Sequence, residues 1–304
     1  MAKIKKEFLL IPMFNEIKNK YHLGNIITKL LIVNIGIFVF QSLIMLFFTI
    51  FGKQDSFLQV MDLLYFPNHI EAFVRQPWSI FTYQFLHTPF GIFHVLFNML
   101  FLFFFGRIFA QFMNPRYVFP LYITGGVFGA LLFMITFNMS PAFQSSAMLV
   151  GASASILAIV VAAATLVPDY TVFLMLIGPV KLKWIALVAL LIDIINISSG
   201  SNAGGHIAHL GGAMAGFFFI ISYRQGYNWF GWIFRLIDKY QKPKRNKPRV
   251  AYVRNKPVEE KEKKTSLSNQ KRVDQILDKI SKSGYDSLTK EEKEFLFKVS
   301  NDKK

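Results

Sequence analysis

Ser153, His94, Asn98 and His209 supply a hydroxyl, two imidazoles and an amide, and they stand in the first turns of three separate apolar stretches. Polar groups in hydrocarbon are costly, so by default they mark a functional site. These side chains are also the parts needed for acyl transfer: a nucleophile, a base and oxyanion donors. Ser153 lies in Gly151-Ala152-Ser153-Ala154. At a helix start a serine reads either as an N-cap or as a nucleophile, beside unpaired N–H groups and a positive dipole end that favour a developing oxyanion. Ser155 points to a different side of a helix and ranks lower. His94 and Asn98 are spaced i, i+4 and so share one helix face. Both can donate to an oxyanion, and both could instead form a buried structural pair.

His206 and His209 form a His-x-x-His pair. Zinc would need a further ligand, for which His94 is the candidate, and nothing here matches a zinc-protease helix pattern. Neither a metal nor a cofactor is therefore expected. As a general base, His209 needs only a serine within hydrogen-bond reach. Asp193 is the one acid deep in an apolar stretch. It could orient a histidine as a third member, and a purely structural role is preferred.

Three stretches must converge to unite these groups, and the composition says in what medium. The chain has 304 residues, of which 53% are hydrophobic and 17% charged; soluble proteins carry about 25% charged residues. The net charge of +16 is unevenly spread. Residues 1–29 hold 6 of the 34 Lys and Arg, residues 235–304 hold 21, and the stretch between holds 7. This is a membrane block with basic ends. No basic stripe alternates with aromatic residues as a nucleic-acid surface would require. With no cysteine, disulfides, thiolate chemistry and Cys-ligated zinc are excluded. Residues 1–29 lack a cleavable signal pattern, so the first span is expected to remain.

Six membrane helices are expected, at about 30–51, 93–113, 118–138, 151–167, 183–198 and 206–223, each near the ~20 residues a crossing needs. The short apolar segment 171–180, bracketed by Pro168 and Pro179, reads as a loop or helix extension at the membrane surface. The Lys and Arg bias places the N- and C-termini in the cytoplasm. Lys18, Lys20, Lys29, Arg107, Arg116, Lys181, Lys183 and Arg224 then fall inside, and only Lys53 and Arg75 outside. The second, fourth and sixth spans run inward, so His94, Asn98, Ser153 and His209 share one layer just below the outer surface. Gly212 and Gly216, Ala154, Ala158 and Ala162, and Gly125 and Gly129 make small-residue faces that let three helices approach closely.

In order and spacing these pieces resemble the rhomboid family of intramembrane serine proteases. The matching residues are Trp78, Phe81-Thr82, Phe85-Leu86-His87, His94-Val95-Leu96-Phe97-Asn98, Gly151-Ala152-Ser153, and Ala208-His209-Leu210-Gly211-Gly212 with Gly216, over about residues 25–225. The resemblance implies an all-α six-helix membrane bundle and a Ser153–His209 dyad with no acid required. It implies that His94, Asn98 and the Ser153 backbone N–H bind the oxyanion, and that His206 has no dyad role. It implies an acyl-enzyme route to cleavage of transmembrane protein substrates near the outer membrane surface, with water entering from outside. Three positions depart from the family: Ala154 where glycine usually follows the serine, Ser79 where arginine commonly follows the tryptophan, and Leu157 where some members stack a tyrosine on the base. The imidazole must then be held differently.

The expected organisation is a cytoplasmic segment 1–29, a membrane domain 30–224, a basic linker 225–272 that could contact anionic lipid, and a small helical hairpin 273–300. In the hairpin, Val273, Ile276, Leu277 and Ile280 form one helical face. Gly284 ends that helix, and Thr289 with Glu292 starts another through a capping box, carrying Phe295, Leu296 and Val299. The expected partners are the bilayer and membrane-protein substrates, in a bacterial inner membrane. Two rivals stand beside the protease: a catalytically inactive rhomboid-like binder of membrane proteins, and a transporter or metal-binding channel built on the histidines.

Overall fold

The computed structural model describes residues 25–89, 91–143, 147–175, 177–198, 202–241 and 258–301. Lys18, Lys20 and the basic run 242–257 lie outside the described residues. The chain divides into two compact units, Met1–Tyr240 and Gln241–Lys304.

In the first unit, α1 (Ile26–Ile50) starts at Asn25, whose side chain accepts from the Thr28 N–H. The first loop follows, with α2 (Gln54–Asp62), β1 (Phe66–Pro67), α3 (Ile70–Arg75) and the single turn α4 (Ser79–Thr82). Then come α5 (Ile92–Phe112), α6 (Val118–Met139), β2 (Met148–Leu149), α7 (Ser153–Leu166), strands β3 (Thr171–Leu174) and β4 (Gly178–Lys181), α8 (Leu182–Ser198), α9 (Ala203–Arg224) and α10 (Gly231–Gln241). Helices occupy all six expected span positions. Four of them, including α6 with its preceding turn, are long and apolar enough to cross a membrane. The other two, α7 and α8, have 14 and 17 residues.

α7 is short because it is the centre. It packs against α5, α6, α8 and α9, and every residue from Ala154 to Ala164 is buried. Small residues make this enclosure possible. A Cβ added at Gly212 would stand 2.1 Å from the Ala154 carbonyl oxygen, and one at Gly216 would stand 2.1 Å from that of Ala158. From the opposite side, Gly125 meets the Ala158 Cβ and Gly129 meets the Ala154 Cβ. Ala154 and Ala158 of α7 are thus each held between a glycine of α6 and a glycine of α9. In lipid, where apolar burial gives little drive for association, such close backbone packing holds helices together.

The first loop is more ordered than its sequence announces. Phe57, Phe66 and Tyr83 are fully buried in it. β1 pairs antiparallel with β2, Phe66 opposite Leu149, and the Gly151 N–H donates to the Tyr83 carbonyl. The loop therefore clamps the chain just ahead of Ser153. Around Ser79 the loop is held by side chains on its own carbonyls: Trp78 Nε1 donates to the Leu63 carbonyl, Gln76 to those of Asp62 and Tyr65, and Thr82 to that of Leu64.

Segment 171–180 is neither a loop nor a helix extension but a β-hairpin, with Val172 opposite Val180. Alternating side chains and Gly178 at φ +91° suit a two-stranded ribbon, since glycine takes left-handed backbone without cost. Part of the expected linker is also helical. Phe230 is buried in the core just ahead of α10, and α10 sets Ile233 and Phe234 against it and Asp238 on Arg116 at 2.6 Å.

The second unit contains α11 (Val258–Ser283) and α12 (Lys290–Asn301). Gly284 follows α11 at φ +78°. The Thr289 N–H donates to Glu292, and the Glu292 N–H to the Thr289 hydroxyl, which is the reciprocal capping box. Ile276 is buried, but Leu277 is 51% exposed: one partner helix covers only part of the apolar arc, and Leu277 lies about 100° round from Ile276.

Candidate active site

Four groups from three helices line one cavity of about 320 Å³: His94 and Asn98 from α5, Ser153 from α7 and His209 from α9. The local backbone explains the aim of each. Gly151 sits at φ +130°, a conformation that L side chains rarely adopt. That turn delivers Ser153 as the first residue of α7, where backbone N–H groups have no intrahelical acceptor. A Cβ at Gly151 would lie 3.4 Å from His94 Nε2 and 3.8 Å from Ser153 Oγ, so the imidazole and the hydroxyl flank the same small space. Tyr83 lines this cavity and donates its hydroxyl to the Gly126 carbonyl at 2.6 Å, which ties the first loop to α6.

The Ser153 hydroxyl donates to His209 Nε2 at 2.7 Å. Asn98 Nδ2 is buried, with no hydrogen-bond partner among the described residues. A buried amide donor left unpaired costs about 1–3 kcal/mol, and an acceptor that arrives only during reaction would relieve it. Ser155 faces elsewhere: it is fully buried and donates to Gln84 Oε1, so it packs rather than reacts.

A second, apolar space of about 280 Å³ adjoins the first. Phe97 and Phe101 of α5, Leu157 and Val160 of α7, and Ala189 and Ile192 of α8 line it, and it reaches Ser153 and His209. The departure at Leu157 thus contributes an apolar wall.

Asp193 is 6% exposed. Its Oδ1 accepts from His209 Nδ1 at 2.8 Å and from His206 Nδ1 at 2.7 Å. Sequence reasoning singled out Asp193 as able to orient a histidine but preferred a structural role, bonded to backbone or protonated by burial; the structure pairs it with two imidazoles. The signal was one acid in an apolar helix and two histidines in the next, but the facing of the two helices could not be read. These three residues could also offer one ligand atom each to a metal, all within 4.8 Å of one another. Their two contacts are of hydrogen-bond length, shorter than the about 3.3 Å separating ligand atoms around tetrahedral zinc.

Just ahead of α5, His87 is 1% exposed, edge-on to Phe38 and to His94. Burial, with a smaller contribution from His94, lowers its pKa from 6.5 to about 4. Gln41 holds this segment by donating to the His87 carbonyl at 2.7 Å.

Comparison with known proteins gives two family matches. The Rhomboid domain profile matches residues 74–226, half of the chain. A family of unknown function, DUF6576, matches residues 257–302. Among curated proteins, RHOMBOID-like protein 12, mitochondrial, of Arabidopsis thaliana is similar to this chain. It is 29% identical over 146 residues, covering 44% of the chain and 43% of that protein. The chain therefore spans about two fifths of that relative's length.

Proposed function

The chain belongs to the rhomboid family, and from that premise we propose that it is an intramembrane serine endopeptidase cleaving transmembrane protein substrates through a Ser153–His209 dyad. The observation that carries this reading is the 2.7 Å contact between Ser153 Oγ and His209 Nε2, in a cavity shared with the unpaired amide of Asn98. Ser153 Oγ attacks the scissile carbonyl while His209 Nε2 takes its proton. The tetrahedral oxyanion is bound by Asn98, His94 and the Ser153 N–H. His209 then returns the proton to the leaving amine, and an acyl-enzyme remains on Ser153. Water hydrolyses that ester by the same base.

The substrate segment approaches through the apolar space between α5 and α8, whose lining of Phe97, Phe101, Ala189 and Ile192 suits a lipid-facing chain. Water enters from the extracytoplasmic side, where the starts of α5, α7 and α9 lie. In this reading all six helices cross the bilayer, and both termini are cytoplasmic. The central helix need not reach both surfaces with apolar residues, because its flanks meet protein rather than lipid.

A reporter membrane protein presented in proteoliposomes tests the reading. Wild type is expected to cleave it, and Ser153→Ala and His209→Ala to lose cleavage by at least about 10³-fold. A fluorophosphonate probe is expected to label wild type and not Ser153→Ala. Equal product from all three proteins would refute the mechanism. Absence of both cleavage and labelling in folded wild type would favour the inactive binder.

A further inference from the structure

The peptidase mechanism uses one nitrogen of His209 and leaves the other to Asp193. Among the described residues, Asp193 is the one buried acid. It lies on α8, while Ser153 and His209 lie on α7 and α9, so the contact joins a third helix to the pair. Oδ1 receives both imidazole contacts, 2.8 Å from His209 Nδ1 and 2.7 Å from His206 Nδ1. An ionised carboxylate accepts two such bonds. A carboxylic acid would offer these two nitrogens only one proton. With Nδ1–H of His209 committed to the carboxylate, its lone pair is on Nε2, and Nε2 is the nitrogen facing Ser153 Oγ.

We infer that Asp193 is a positioning residue, fixing the tautomer and orientation of His209 in a Ser153–His209–Asp193 relay in which His206 anchors the carboxylate. The inference rests on the peptidase reading above. The proton from Ser153 moves to Nε2 and later to the leaving amine. The Nδ1 proton stays on the ring throughout, and the carboxylate stays ionised beside the imidazolium that forms. His206 acts one step further back. It stands one helical turn before His209, with the two rings nearly perpendicular at 87°, and it donates to the same oxygen. A carboxylate held by two donors on α9 has little freedom to rotate. This arrangement also supplies what Leu157 does not, because an aliphatic side chain at that position cannot fix the imidazole by stacking.

The experiment compares Asp193→Asn, Asp193→Glu and His206→Ala with wild type, Ser153→Ala and His209→Ala, in full-length protein in proteoliposomes. It reads kcat and KM on the reporter, the rate of fluorophosphonate labelling, and the thermal midpoint. For Asp193→Asn, kcat and labelling rate are expected to fall together by about 10²–10⁴-fold, with KM within about twofold of wild type. Asp193→Glu is expected to recover part of the loss, since it keeps a carboxylate. His206→Ala is expected to lose about 3–10-fold in kcat, because the carboxylate remains but is held by one donor fewer. If Asp193→Asn labels and turns over at the wild-type rate while Ser153→Ala and His209→Ala are dead, the inference fails and the dyad stands. If Ser153→Ala or His209→Ala is active, the peptidase reading itself fails. Should Asp193→Asn not fold, nitrogen NMR of histidine-labelled wild-type protein decides, with His209 assigned by its loss in His209→Ala. Protonation on Nδ1 supports the relay, and protonation on Nε2 overturns it.

Discussion

Asn98 is the residue whose role separates binding from chemistry most cleanly. Its Nδ2 is buried and unpaired at rest, so removing it withdraws little from the ground state and one donor from the oxyanion. Asn98→Ala is expected to lower kcat by about 10²–10³-fold with KM nearly unchanged, checked by steady-state kinetics on a membrane reporter. A large rise in KM alone would assign Asn98 to substrate binding. His87 makes the contrasting case, a buried titratable ring that makes the fold sensitive to acid. Its folded pKa is about 4 against an ordinary 6.5, so between those values the unfolded chain takes up a proton that the folded chain refuses. Acid therefore weakens the fold across that window, by on the order of 2–3 kcal/mol in all. Thermal melts in detergent at pH 7 and pH 4.5 are expected to differ less in His87→Phe than in wild type. Ser153, His94, Asn98 and His209 were legible in the sequence because each polar group stood near the start of an apolar run. The partner of Asp193 was not legible. Periodicity fixes which residues share a face of one helix, but not which face it turns to its neighbour.

At the scale of elements, glycine placement decides whether the site can close. Gly212 lies three positions after His209, and its Cα faces the Ala154 carbonyl one residue after Ser153. Adding a Cβ there, 2.1 Å from that oxygen, forces α9 away from α7 just where the two reacting groups meet. Gly212→Ala is expected to cost about 1–3 kcal/mol of stability and at least about 10-fold in kcat, since about 1 Å of misplacement costs about 100-fold. Gly216→Ala meets the Ala158 carbonyl at the same 2.1 Å but one turn further from the chemistry. It is expected to match the stability loss with a smaller fall in kcat. Gly36→Ala on α1 meets nothing within 4 Å and is the neutral control. Thermal melts and reporter cleavage read all three. The paired small-residue faces of α6, α7 and α9 could be read from four-residue spacing alone. The first loop could not, because its helices and strands are too short to show a period and are set by tertiary contacts such as Gln76 on the Tyr65 carbonyl. The hairpin β3–β4 was hidden in the same way: ten residues with two prolines nearby carry an apolar signal without revealing its geometry. Its strand alternation leaves Phe173 77% exposed.

For the whole molecule, the open quantity is direction, and charge asymmetry argues for one answer. At one end of the bundle the helix ends and the segments joining them carry Arg107, Arg116, Lys181, Lys183 and Arg224, and at the other end Lys53 and Arg75. Several cations of the first group are held by contacts within the structure. Arg224 donates to the carbonyls of Thr165 and Leu166 at the end of α7, where a helix leaves its last acceptors free. Lys181 and Lys183 both reach Asp169 at the base of the hairpin, whose pKa they hold below the usual carboxylate range. Moving these groups across the bilayer is the cost that sets orientation, and in the orientation proposed above the mouth of the Ser153 cavity lies outside. The absence of cysteine makes the test clean, because a single introduced thiol is the only one in the protein. Ala142→Cys, exposed after α6, and Gln225→Cys, exposed after α9, sit at opposite ends of the bundle. In intact bacterial cells a membrane-impermeant maleimide is expected to label Ala142→Cys and to spare Gln225→Cys until the membrane is permeabilised. The reverse pattern would put the cavity mouth in the cytoplasm, and with it the water and the cut site, leaving the dyad chemistry intact but overturning its proposed location.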